Sequence, residues 1–113
     1  MGTKCLIPIW EQYRYMNLIA KRTLREFWER HPEAEKLLSA WYTIFSQRDW
    51  ATPAEIKEAF GTNVDFVKDN RVIFDVGGNR YRVIVHVSYR YKSALIKFVG
   101  THKEYDAIDP GTV

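Results

Sequence analysis

From residue 64 onward the apolar side chains recur at every second position, a spacing that a helix cannot bury on one face. Val64-Asp65-Phe66-Val67 opens the pattern. Residues 71–76, 81–87 and 94–99 continue it with valine, isoleucine and aromatic residues. The connections have turn chemistry. Asp69-Asn70 separates the first two runs, and Gly77-Gly78-Asn79 supplies residues that accept positive φ cheaply between the next two. A polar and aromatic turn around residues 90–93 joins the last pair. The second half of the chain therefore reads as a meander of four strands.

The first half has a different period. Met16-Asn17-Leu18-Ile19 is a short apolar run suited to a strand. Residues 20–30 then follow helical spacing, with Leu24, Phe27 and Trp28 on one side. His31 precedes Pro32, which ends that helix and starts the next. Ala34, Leu37, Leu38, Trp41, Ile44 and Phe45 form an apolar stripe to about Gln47, read as core. Thr52-Pro53-Ala54-Glu55 is a capping box for a short third helix that stops at Gly61. Strand, helices and meander together give an α+β class with one modest core, which 113 residues can supply.

Several classes are excluded by residue type. The single cysteine, Cys5, permits no internal disulfide and no all-cysteine zinc site, and it fits a reducing cytoplasm. No apolar run is long enough to span a bilayer. His31, His86 and His102 lack metal-ligand spacing, and the phosphate-binding and dinucleotide-binding glycine motifs are absent. No cofactor or metal is expected.

Charge is unevenly spread. The formal net charge is +3, yet residues 71–105 hold seven Lys/Arg against two acids, or +5, and the remainder holds ten against twelve, or −2. A basic segment of this kind suits a polyanion such as nucleic acid, although a solvated face looks similar. Alternation puts Tyr81, Val83, Val85 and Val87 toward the helices and Arg80, Arg82, Ile84 and His86 on the other face. In the last strand Ala94, Ile96 and Phe98 suit the core, leaving Lys97 opposite. Arg82 and Lys97 then share an exposed face near His102 and Tyr105. Such a set suits RNA phosphate chemistry, with cations stabilising the phosphorane and His, Tyr or Lys moving protons. Each residue also has an ordinary alternative. Arg82 can pair with Asp75, Lys97 can guard a strand edge, His102 can bond backbone, and Tyr105 can be a core aromatic.

Two strings are more specific. Asp75-Val76-Gly77-Gly78-Asn79-Arg80-Tyr81-Arg82-Val83-Ile84 and Phe98-Val99-Gly100-Thr101-His102-Lys103-Glu104-Tyr105-Asp106 together resemble the HigB family. These are toxins of type II toxin–antitoxin pairs in the RelE-like group. The resemblance covers about residues 16–109. Residues 1–15 fall outside it, as an aromatic-rich extension before a domain at 16–113. The resemblance implies helices packed on a small twisted antiparallel sheet. It implies an mRNA interferase acting on the translating ribosome, silenced by a HigA-type antitoxin with a helix-turn-helix, and the reaction expected of these residues is a metal-independent RNA cleavage. It carries Arg82, Lys97, His102 and Tyr105 over as the catalytic set, with Arg71, Arg80 and Lys103 as RNA contacts. The rival reading is a non-catalytic RNA- or ribosome-binding module using the same basic face.

Overall fold

The computed structural model describes residues 17–113. The apolar extension at 1–15 and the boundary expected at Met16 lie outside the described residues. The elements are β1 (Asn17–Ile19), α1 (Lys21–Arg30), a 3-10 turn (Pro32–Ala34), α2 (Glu35–Ser46) and α3 (Pro53–Phe60). A second 3-10 turn (Gly61–Asn63), β2 (Val64–Val67), β3 (Arg71–Val76), β4 (Tyr81–Ser88), β5 (Ser93–Thr101) and α4 (His102–Asp106) follow. The fold is α+β, with one five-stranded sheet in the order β1-β5-β4-β3-β2. β2 to β5 form the antiparallel meander. β1 pairs with β5 in parallel, which makes the sheet mixed. The long excursion between β1 and β5 allows that direction, because no tight hairpin joins them.

The helices form where their spacing requires. The His31 N–H bonds the Phe27 carbonyl and closes α1, and the 3-10 turn at Pro32 leads into α2. Ala34, Leu38, Trp41 and Phe45 are buried, a four-three-four spacing that lays one stripe on the sheet. Ile44 was expected in that stripe but is 53% exposed, because it sits one position round the helix from Phe45. Thr52 caps α3, accepting from the Glu55 N–H at 3.3 Å, while Glu55 reaches back to the Ala51 N–H at 2.9 Å. The core lies between these helices and one sheet face, with Phe45, Trp50, Phe60 and Phe74 packed ring against ring.

Both glycine-type hairpin turns form as expected. Asp69 and Asn70 have φ of 63 and 58, and Gly77 and Gly78 both have φ of 69. Gly77 is required by that φ, and a Cβ there would in addition push aside the end of the Leu37 side chain, whose Cδ1 lies 2.6 Å away.

β5 departs from simple alternation. Val85 pairs with Ile96 and Ile84 with Phe98, so Lys97 is an extra residue at a β-bulge. The bulge moves every later β5 residue to the opposite parity. Phe98, expected in the core, therefore shares a face with Ile84, and Val99 takes the inner position against Val83. A single lysine between two apolar residues gives no sign of a bulge, so alternation alone misplaces this aromatic.

The face away from α1–α3 is also not open along its whole length. Ile73 and Ile84 lie on it and are 3% and 0% exposed. α4 packs against β4 and β5 there. Its Thr101 cap accepts from the Glu104 N–H at 3.2 Å, and the Glu104 carboxylate accepts from the Thr101 N–H at 2.8 Å. This reciprocal box is written in the sequence as Thr-x-x-Glu, in a string singled out above for its His, Lys and Tyr side chains and not for a helix.

Candidate functional site

Arg82 is the centre of the candidate site, and its environment differs from the exposed setting expected. The β3–β4 register puts it directly across from Asp75. Arg82 Nε lies 3.0 Å from Asp75 Oδ1, and Nη2 donates to Asn79 Oδ1 at 2.7 Å. The residue is only 9% exposed. Its Nη1 is buried and has no hydrogen-bond partner among the described residues. A buried donor without an acceptor is costly, and the partners of Nε and Nη2 hold the guanidinium in one orientation despite that cost. The pairing with Asp75 weighed from sequence is present, and it positions the cation.

α4 brings in the second group. Tyr105 stacks its ring 5.5 Å from the guanidinium carbon of Arg82. Burial raises the Tyr105 phenol above its ordinary value of 10.0. The Arg82 charge lowers it, and Asp65, Asp75 and Asp106 raise it further. At neutral pH the phenol is therefore protonated and can donate. His102, three residues earlier on the same helical face, places Nδ1 3.1 Å from Asp106 Oδ2. That contact orients the imidazole and leaves Nε2 for other work. The His102 N–H bonds the Arg80 carbonyl at 3.0 Å, which ties α4 to the glycine turn.

The other candidates are dispersed. Lys97 is exposed at the bulge, and three residues along β5 separate it from Gly100 opposite Arg82, roughly 10 Å of strand. It does not join the Arg82–Tyr105 contact. Arg80 and Lys103 are exposed beside the two ends of the α4 junction. Arg71, expected to contact RNA, is committed elsewhere. Its Nη2 and Nε donate to the Val113 carbonyl at 3.0 and 3.3 Å, and Nη1 lies 3.5 Å from Asp69 Oδ2. It anchors the C-terminal segment at the far end of β3.

Asp75, Asn79 and Asp106 are the residues that reasoning from sequence left out of the site. Hairpin arithmetic about the glycine turn pairs position 75 with 82, and the i, i+4 spacing of His102 and Asp106 is visible in the string. Among the described residues, no helix is long and apolar enough to cross a membrane.

Residues 34–108 match the family model HigB_toxin, a RelE-like toxic component of a toxin-antitoxin system. The mRNA interferase HigB of Escherichia coli O6:H1 (strain CFT073) is 31% identical over 94 residues, covering 82% of this chain and 91% of that protein. The mRNA interferase toxin HigB of Escherichia coli K12 is 32% identical over 92 residues, covering 80% of this chain and 88% of that protein. The mRNA interferase HigB of Shigella flexneri is similar to the same extent, at 32% identity. With the family match spanning most of the fold and the Arg82–Tyr105 site inside it, the chain belongs to the HigB family of RelE-like toxins.

Proposed function

We propose that this toxin is a metal-independent endoribonuclease that cuts mRNA on the translating ribosome. The observation that carries the reading is the Arg82 guanidinium, held by Asp75 and Asn79 and covered by the ring of the protonated Tyr105. The similarity to proteins named mRNA interferases supports it.

In the proposed mechanism His102 Nε2 takes the proton of the ribose 2′-OH, with Asp106 holding the ring through Nδ1. The 2′-oxygen attacks the adjacent phosphorus. Arg82 donates to the non-bridging oxygens as negative charge grows on them. The P–O5′ bond breaks, and the Tyr105 phenol gives its proton to the leaving 5′-oxygen. The products are a 2′,3′-cyclic phosphate and a 5′-OH. Lys97, Arg80 and Lys103 contact flanking phosphates. Arg71, tied to Val113, is left out of this set and serves as an anchor. The domain we propose runs over 16–113, and a HigA-type helix-turn-helix antitoxin silences it.

The test is purified toxin added to a translating extract, and to the same mRNA free of ribosomes, each with and without EDTA. We expect cleavage in the extract in both EDTA conditions and little on the free message. Binding to ribosomes without any cut would overturn the nuclease reading in favour of a non-catalytic ribosome-binding module. Loss of cleavage at an EDTA concentration that leaves translation running would overturn metal independence.

A further inference from the structure

Phe98 is an aromatic residue on the wrong face for a core. The bulge at Lys97 pairs it with Ile84, on the side that carries Arg82, and it stands outside the hydrophobic cluster under the helices. It remains partly exposed. Its ring leans over Gly100, where a Cβ would lie 2.5 Å from Phe98 Cζ and 3.0 Å from Cε2. Only a residue without a side chain lets the ring take that position. Gly100 is the cross-strand partner of Arg82, and paired Cα atoms in such a sheet are roughly 4.5–5.5 Å apart. The ring therefore ends over the residue directly across the strand pair from Arg82.

We infer that Phe98 is the stacking platform for the nucleobase next to the phosphate held at Arg82. This rests on the reading of Arg82 as the phosphate contact. Single-stranded RNA is bound by pairing a cation for the phosphate with an aromatic ring for the adjacent base. Both parts meet here across the Arg82–Gly100 pair, and the flexible backbone of a splayed nucleotide can bridge them. A ring reads π-surface and not base edges. The preference it confers is for a purine over a pyrimidine at that one nucleotide.

The experiment uses the full chain with ribosomes programmed by mRNA. The message carries 2-aminopurine at the nucleotide beside the mapped cut, and a 2′-deoxy sugar blocks cleavage. The parent is compared with Phe98→Trp, Phe98→Leu and Phe98→Met. The two aliphatic variants keep an apolar cover over Ile84, and thermal midpoints establish that each is folded. We expect the parent and Phe98→Trp to quench the fluorophore. The aliphatic variants should lose the quench and bind about 5- to 150-fold more weakly, the range typical of one base–aromatic stack. A folded Phe98→Leu or Phe98→Met that binds and quenches like the parent overturns the inference, because the ring then only shields Gly100. A parent that quenches but cuts no mRNA keeps the platform and removes the nuclease reading. A parent that cuts mRNA with no quench, and with aliphatic variants equally active, removes the platform alone.

Discussion

The sharpest structural prediction concerns Asp75→Ala. In the folded chain Asp75 and Arg82 face each other at 3.0 Å, with side chains 23% and 11% exposed. Removing the carboxylate leaves a nearly buried guanidinium with only Asn79 as a partner. Breaking a fully buried pair this way costs about 3–5 kcal/mol. The partial exposure of Asp75 admits some screening, so we place the loss at about 2–3 kcal/mol. For a domain of this size that lowers the thermal midpoint by roughly 8–20 °C. The double variant Asp75→Ala/Arg82→Met removes both charges and should recover most of the loss, since an apolar replacement of the whole pair is often near neutral. Urea unfolding followed by circular dichroism measures all four corners of the cycle. Strictly additive losses, or an Asp75→Ala cost below about 0.5 kcal/mol, would refute the claim that this pair holds Arg82 in place.

Three further outcomes are expected. His102→Gln and Tyr105→Phe should each weaken growth inhibition on induction without antitoxin, reflecting a loss of roughly 10²–10⁴ in cleavage rate, and unchanged toxicity in both would remove their proton-transfer roles. Gly77→Ala should cost at least about 1 kcal/mol in urea unfolding, because its φ of 69 strains any Cβ and that Cβ would lie 2.6 Å from Leu37 Cδ1. Burial raises the phenols of Tyr89 and Tyr105 above 10.0, so these groups favour the fold while protonated. The unfolded chain gives up protons first as pH rises through about 10, and stability should fall from there through the folded values. A flat unfolding free energy between pH 9 and about 11 would contradict that linkage.

Much of this architecture was legible because it rests on local patterns. Periods of two and of 3.6, the Pro32 break, the Thr52 cap and the Gly77-Gly78 turn all act within a few residues. The bulge at Lys97 was not legible, because it is decided by the fit of β5 against β4 and not by the residues of β5 alone. Its consequence is large, since it carries Phe98 from the core face to the site face. The arrangement of the candidate site was half legible. Arg82 and Tyr105 were placed together, and their contact is present. Arg71 looked like a free cation in the sequence, because its partner Val113 lies 42 residues away. The burial of Arg82 also escaped notice, since α4 roofs a face that alternation marks as open.

The central claim is that Arg82 stabilises charge on the scissile phosphate. The direct measurement is the single-turnover rate of cleavage of ribosome-bound mRNA by the parent, Arg82→Ala and Arg82→Lys, with the folded state of each checked by circular dichroism. Loss of a charged contact worth about 1.5–3 kcal/mol predicts a rate roughly 10- to 150-fold lower in Arg82→Ala. Arg82→Lys should recover only part of it, because an ammonium cannot bond Asp75, Asn79 and a phosphate with the geometry of the guanidinium fork. A folded Arg82→Ala that cuts at the parental rate would contradict the account.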